Sequence, residues 1–346
     1  YHQLETGDTG LIREDTISPL TDPPMLDDVE VSEAQAAEAL DKTVIIKLNG
    51  GLGTSMGMTG PKSALVVHDG LSFLDLTARQ VRALRHEHGV EVPLVLMNSF
   101  RTRAASLEIL GRYPDLAVEG VPADFLQNAE PKLRADDLEP VEWPADPDLE
   151  WCPPGHGDVY VALAGSGLLD ALRERGVRYA FISNADNLGA TCDPTIAAWL
   201  HRESIPFAME VCERTRNDRK GGHVARRMAD DRLVLREMVT SAQIDGLAGG
   251  DLDLGGGLPL RHVDLPGLVV VLVVDLVEGA VLLCHEDVHT QLVQLVDLEW
   301  GHLMQGFERD HILARSFLLC RRKRGGAPTR RALVCPRGPT PPPVPA

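Results

Sequence analysis

Two hydrophobic periods alternate along residues 41–213. Short apolar runs have strand length: TVIIKL (43–48), VPLVLMN (92–98), RYAFISN leading into a polar turn (178–187), and FAMEVCE (207–213). Between them the apolar positions recur every three or four residues. SFLDLTARQVRALRHEH (72–88) puts Phe73, Leu74, Leu76, Val81 and Leu84 on one helical face. RTRAASLEILGRY, DVYVALAGSGLLDALRERG (158–176, closed by Gly176) and PTIAAWLHRE read as further helices. Alternation of this kind predicts an α/β domain with a largely parallel sheet. In open sheets of that class, ligands bind beyond the carboxyl ends of the strands. Polar motifs follow three of the strands, at 49–63, 98–103 and 184–187.

The flanks have a different character. Residues 1–40 form a polar, Pro-broken extension that ends in a short helix, SEAQAAEAL. After 238 the chain is dominated by Gly, Leu, Val and Asp, then turns basic and Pro-rich, as a disordered tail would. The expected division is therefore an extension (1–40), a principal domain (41–238) and a divergent, low-complexity segment (239–346). One apolar run, LPGLVVVLVVDLVEGAVLLC (265–284), approaches membrane-spanning length, but Asp275 and Glu278 stand inside it. Charges there are costly in lipid, so a buried strand or helix is expected and no membrane partner.

Composition narrows the chemistry. Of 346 residues, 44% are apolar and 25% charged, which suits a globular fold. Aromatics make up only 4%, so Val, Leu and Ala must build the core. A net charge of −17 argues against nucleic acid as a partner. It does not exclude a small anion, which backbone N–H groups and a few local cations can hold. There are six lysines, Lys42, Lys47, Lys62, Lys132, Lys220 and Lys323, and of these Lys62 and Lys220 sit beside glycine-rich turns. The six cysteines include no C-x-x-C pair, so neither a zinc ribbon nor a redox pair is suggested. A polar, acidic start without a leader-like segment makes a reducing, cytoplasmic setting the expectation. Self-association is left open.

The segment LNGGLGTSMGMTGPKS (48–63) carries the first chemical signal. Gly50, Gly51, Gly53 and Gly57 could turn several N–H groups toward phosphates. Neither standard phosphate loop fits. A dinucleotide fingerprint needs glycine where Met56 stands, and a P-loop needs glycine where Pro61 stands. Pro61 would instead present Lys62 rigidly. The plainer alternative is a merely flexible loop.

The whole stretch is more specific than its glycines. KLNGGLGTSMGMTGPKS resembles the signature of the UTP–glucose-1-phosphate uridylyltransferases of eukaryotic type. In order along the chain, FLQNAEPKL (125–133) resembles that family's uracil-reading segment and WCPPGHGDVY (151–160) its PPGHGD element. FISNADNLGAT (181–191) resembles its metal turn, and RKGGHV (219–224) its Lys-Gly-Gly turn. The resemblance implies a Rossmann-like nucleotidyltransferase domain that joins UTP and glucose 1-phosphate into UDP-glucose and pyrophosphate, with Mg²⁺.

The same resemblance implies roles for individual residues. Leu48, Asn49, Gly50 and Gly51 would hold the nucleotide through their backbone, and Lys62 would neutralise the triphosphate. Gln127 would read the uracil edge, since its amide both donates and accepts; a solvated glutamine is the alternative. Gly155 would allow close approach to base or ribose, and His156 would touch the sugar phosphate. Asp186 would hold Mg²⁺, a hard ion that takes oxygen ligands and few carboxylates, where the alternative is a turn-forming Asp. Asn184 would orient sugar or metal. Lys220 would reach a phosphate or else lie in solvent.

Beyond 238 the resemblance stops. The family's FNTNN-type sugar segment, its PVK-type catalytic lysine and its C-terminal β-helix are not recognisable, and the only lysine there is Lys323. A frame-shifted reading of this segment would account for the change. Three other functions stay open: a related enzyme for an N-acetylhexosamine phosphate, a catalytically dead nucleotide-binding remnant, and a zinc hydrolase. The last rests on HEDVH (285–289), where His285 and His289 would ligate, Glu286 would act as base and Glu308 could add a ligand.

Overall fold

A computed structural model describes residues 12–21, 23–53, 57, 58, 60–213, 222–237, 266–275 and 331–335. Its centre is a seven-stranded sheet. Numbered in chain order, the strands are β1 (Thr43–Asn49), β2 (Leu94–Asn98), β3 (Asp124–Leu126), β4 (Tyr179–Asn184), β5 (Phe207–Glu213), β6 (Pro266–Asp275) and β7 (Arg331–Val334). Their spatial order is β7-β5-β6-β4-β1-β2-β3. The four at the β3 end pair parallel: Ile46 of β1 stands opposite Ile182 of β4 and Val95 of β2, and Met97 of β2 opposite Phe125 of β3. β6 and β7 run against their neighbours, so β1–β5 all point one way.

The α/β expectation holds, and the described part of the apolar run, Pro266–Asp275, is a strand. Two strands of the sheet come from the stretch after 238. That part of the chain punctuates poorly in sequence because its two strands lie far apart and pair with β5 from opposite sides.

The pleat explains the layers. Successive side chains of a strand face opposite ways, so Val44 and Ile46 join Val95, Met97, Ala180 and Ile182 in one core cluster, while Ile45 joins Leu94, Tyr179 and Phe181 in another. The first cluster is roofed by Val159, Ala162, Leu163, Leu169 and Leu172 of helices α4 (Asp158–Gly165) and α5 (Leu168–Glu174). The second is covered by α1 (Glu33–Asp41), α2 (Phe73–His88) and α6 (Pro194–Glu203), with α3 (Arg103–Leu110) packed beside α2. Every residue of β1 except Leu48 is buried, as expected of a parallel strand covered on both faces.

Local chemistry sets the helix ends. Ser72 and Asp75 form a capping box at the start of α2, and Gly89 ends it in the left-handed region. Leu76 and Leu84 are only half-buried, and Thr77 and Ala78 lie deeper. The single helix expected over 158–176 is two. Gly167 takes φ +76° between α4 and α5, and the Ser166 hydroxyl donates to the Leu163 carbonyl and accepts from the Leu168 N–H. A glycine at positive φ breaks the helical path even though the apolar spacing continues across it.

This topology selects one end of the sheet. The chain runs outward through β1, β2 and β3, then crosses back so that β4 lies on the other side of β1. That reversal makes a switch point between β1 and β4 at their carboxyl ends, where α/β folds open a crevice. Asn49, Asn98, Leu126 and Asn184 are the last residues of the four parallel strands.

Candidate active site

The glycine loop leaves β1 and returns as a hairpin. The Lys62 N–H donates to the Gly51 carbonyl at 3.0 Å, the Gly53 N–H donates to the Gly60 carbonyl at 3.1 Å, and Leu52 bridges Pro61. Pro61 is extended (φ −63°, ψ 140°) and starts a short turn over Lys62–Ala64. A Cβ built on Gly51 would lie 3.7 Å from Lys62 Cδ, so the lysine stem crosses that glycine. The described base of the loop, 51–53 against 60–62, therefore supports one ammonium.

Gln127 meets the same loop from β3. Its N–H donates to the Asn98 carbonyl at 2.8 Å. A Cβ on Gly50 would fall 2.0 Å from Gln127 Oε1, a distance no real contact allows. The adjoining Asn128 donates from its backbone N–H and its Nδ2 to the two Asp158 oxygens, each at 2.7 Å. The Gln127 segment is thus tied to the first turn of α4, directly after Gly155 and His156. Gly155 takes φ +103°, a conformation that needs glycine.

Asn49 has a further part. Its Nδ2 donates to Asn98 Oδ1 and to the Ser106 hydroxyl, both at 2.7 Å, and it is buried. Asn98 donates in turn to Asp124, which Arg103 grips at 2.8 Å. The Asn49 side chain is spent on locking three strand ends together, which leaves its backbone for a ligand. Asn98 and Arg103 fall in the polar stretch 98–103 at the end of β2, whereas Ser106 of α3 and Asp124 at the start of β3 carry no sequence signal of their own.

On the other side of β1, β4 runs into the turn that carries Asn184 and Asp186. The Leu48 carbonyl accepts the Ala185 N–H at 3.0 Å, and Asn187 Oδ1 accepts the N–H groups of Gly189 and Ala190. Leu48 thereby holds this turn as well as opening the glycine loop. Beneath the turn lies Lys47, which sequence patterning placed only as a strand residue. It is 3% exposed, and its ammonium donates to the Ser183 hydroxyl at 2.7 Å and the Ala190 carbonyl at 3.1 Å.

The electrostatics join these pieces. His156 keeps some open surface, yet burial, and after it the charge of Lys62, push its pKa down to about 4. The imidazole is neutral at pH 7 and can donate one N–H. Burial raises the pKa of Asp186, against the pull of Lys62 and then Lys47. Lys62 is thus felt by residues from two other motifs. Lys220 lies outside the described residues, as do HEDVH (285–289) and Glu308. A shallow cavity of about 480 Å³ lined by Ile12, Arg13, Thr16, Arg227, Met228 and Ala229 includes none of these groups.

A magnesium ion suits this donor set. Among the described residues no three His, Cys, Asp or Glu side chains gather as a metal cage. A lone, partly buried carboxylate beside cations fits an ion that takes most of its ligands from phosphates and water. Asp186 is the residue that would hold it.

A family model described as UTP–glucose-1-phosphate uridylyltransferase matches residues 2–246. The chain belongs to that family. Curated relatives include UTP–glucose-1-phosphate uridylyltransferase 2 of Dictyostelium discoideum, 39% identical over 218 residues, covering 62% of this chain and 43% of the relative. The Solanum tuberosum uridylyltransferase is 42% identical over 209 residues, covering 60% and 42%. The chain thus spans less than half the length of these relatives. Among solved structures, the Trypanosoma brucei UDP-glucose phosphorylase superposes with a TM-score of 0.70 at 39% identity, over 82% of this chain and 58% of that one. A variant UDP-glucose pyrophosphorylase from Leishmania major, in complex with UDP-glucose, gives 0.68 at 38%, over 82% and 59%. Among the described residues of this uridylyltransferase-family chain, no helix is long and apolar enough to cross a membrane.

Lys47 carries a stability cost that pH will reveal. Burial lowers its pKa from 10.5 to about 8, against the opposing pull of Asp186. Between about pH 8 and 10.5 the unfolded chain keeps a proton that the folded chain has released, so folding stability rises with pH across that window. Keeping the ammonium charged at pH 7 costs on the order of 3 kcal/mol, at about 1.4 kcal/mol per pH unit. Urea denaturation from pH 7 to 10 should show that rise in the wild type and a flatter profile in Lys47→Met. Parallel profiles would show that the burial penalty is absent.

Proposed function

We propose that this chain binds UTP at the β1/β4 switch point and transfers its uridylyl group to glucose 1-phosphate, releasing pyrophosphate. The observation that carries the reading is the convergence of four separate motifs, through Gly50 against Gln127, Lys62 across Gly51, and the charge of Lys62 on both His156 and Asp186. In the reaction a phosphate oxygen of the sugar phosphate attacks the α-phosphorus of UTP in line, the bond to the β-phosphate oxygen breaks, and pyrophosphate leaves. Such chemistry needs alignment and charge neutralisation more than covalent help.

The residues divide that work. Gln127 reads the uracil edge, and Gly50 and Gly51 let the nucleotide lie close to the backbone. Lys62 neutralises the phosphates, and the neutral His156 donates a hydrogen bond to the sugar phosphate. Asp186, steadied by Asn184 and its turn, is the metal-holding carboxylate. Bound Mg²⁺ would supply charge neutralisation to the phosphates. A reducing, cytoplasmic setting goes with this reading, in which the described Cys192 is a free thiol.

Calorimetry with UTP and Mg²⁺, beside pyrophosphate release with either glucose 1-phosphate or N-acetylglucosamine 1-phosphate, tests the reading. Uptake of UTP with release on glucose 1-phosphate is expected. Release only with the N-acetyl sugar would reassign the substrate. Uptake without release would leave the nucleotide-binding remnant. Gly50→Ala would press on the movable end of Gln127 rather than on backbone. UTP affinity should fall about ten-fold, the worth of one or two hydrogen bonds, and preference over CTP should narrow. Affinity and preference both at wild-type values would remove Gln127 from base reading.

A further inference from the structure

We propose that Lys47 is a positioning residue for the Asp186 turn: its buried ammonium fastens the two ends of residues 183–190 and so determines where the Asp186 carboxylate stands. The inference rests on the nucleotidyltransferase reading and adds to it a role for Lys47, the first residue of the KLNGG stretch, to which the motif assigns none.

Three observations support it. The ammonium reaches the Ser183 hydroxyl before the turn and the Ala190 carbonyl after it, with Asn184 and Asp186 between. The next residue, Leu48, takes the Ala185 N–H, so two consecutive residues of β1 hold the turn at three points. The charge of Lys47 also acts on Asp186 from within the protein, whereas Lys62 approaches from the loop. On its far side the ammonium lies 5.8 Å from the centre of the Phe181 ring.

A purely structural role explains this poorly. Val44, Ile45 and Ile46 bury aliphatic side chains in the same strand at no electrostatic cost. A buried ion is commonly replaced by a packed apolar residue without loss of stability. An ammonium kept here, at the root of a turn bearing one carboxylate, acts on that carboxylate's place. Partners of this sort behind a metal ligand set its orientation, and their loss weakens metal binding by about 10–100-fold.

The test uses the full chain with Mn²⁺ as a paramagnetic stand-in for Mg²⁺. Free Mn²⁺ is read by electron paramagnetic resonance in the presence of saturating UTP, and UTP affinity is measured separately without metal. Lys47→Met should weaken Mn²⁺ binding about ten-fold or more and leave metal-free UTP affinity within about threefold. A merely structural lesion would lower both together. In the ligand-free protein, amide exchange at Ala185, Asn187 and Ala190 should quicken at least about ten-fold while α2 is unchanged. Ser183→Ala keeps the charge and removes one anchor, and it should give a smaller loss of Mn²⁺ affinity, about threefold or more. Wild-type Mn²⁺ affinity and exchange in folded Lys47→Met would overturn the proposal. If that variant does not fold, unchanged Mn²⁺ affinity in Ser183→Ala would overturn it. Failure of the wild type to take up UTP would instead strike the underlying reading, and exchange in ligand-free Lys47→Met would still decide the fastening.

Discussion

Lys62→Ala should weaken UTP binding in the presence of Mg²⁺ by roughly two to three orders of magnitude, as loss of one partner from a desolvated charge pair commonly does. Three features make this more than the loss of one surface cation. The lysine stem lies across Gly51, and the Lys62 N–H closes the hairpin, so the ammonium is presented by a braced backbone. Pro61, with its own φ fixed, narrows the backbone path into Lys62. Its charge also adds to the burial that lowers the His156 pKa, and it opposes the burial that favours protonated Asp186. Removing it therefore lets His156 titrate higher and Asp186 ionise less readily, so the pH dependence of binding should change along with its strength. Lys62→Arg restores the charge but not the compact head group, and partial recovery is expected. Urea denaturation should find all three proteins about equally stable, because the backbone hairpin does not depend on the side chain. Binding within threefold of wild type in Lys62→Ala would take the triphosphate away from this loop.

The sequence revealed more of the chemistry than of the supports behind it. Local periods were enough for β1, β2, β4 and β5 and for α2 and α6, because each buries a face whose spacing is visible in a short window. The break between α4 and α5 escaped that reading, since the apolar spacing runs on through Gly165–Ser166–Gly167 and only the backbone at Gly167 turns aside. Pairing of β6 between β4 and β5 is non-local, so no window contains it. The glycine loop, Gln127, His156 and Asp186 stand out because unusual residues cluster at strand ends. The roles of Lys47 and Asn98 did not stand out, since each looks like a polar blemish in an apolar run. That blemish is itself the clue. A charged or amide side chain on a strand covered on both faces must find partners, and here the partners are the turns and strand ends that frame the site. Lys220 and HEDVH lie outside the described residues.

Asp186→Asn should separate metal binding from turn formation, and its effect on turnover should exceed about a thousandfold, the scale set by loss of an electrostatic stabiliser of phosphoryl transfer. Asparagine keeps the size of the side chain and suits a turn equally well, so a turn-forming Asp186 would be replaced almost without consequence. The carboxylate reading predicts a crossing instead. Without metal, the wild-type carboxylate repels the triphosphate, and the variant should bind UTP as well or better. With Mg²⁺, the wild type should gain affinity while the variant gains little. Folding stability supplies an independent check with a definite sign. Burial raises the pKa of Asp186, so the folded chain releases this proton at higher pH than the unfolded chain, and the ionised carboxylate opposes folding at neutral pH. Asp186→Asn should then melt no lower than wild type at pH 7, and the difference should vanish as the pH falls below the ordinary carboxylate range. A carboxylate whose burial weakens the fold where it stands, opposed by the charges of Lys62 and then Lys47, is positioned for a cation that arrives with the substrate. Equal responses to Mg²⁺ in both proteins would show that the carboxylate holds no metal and only shapes the turn.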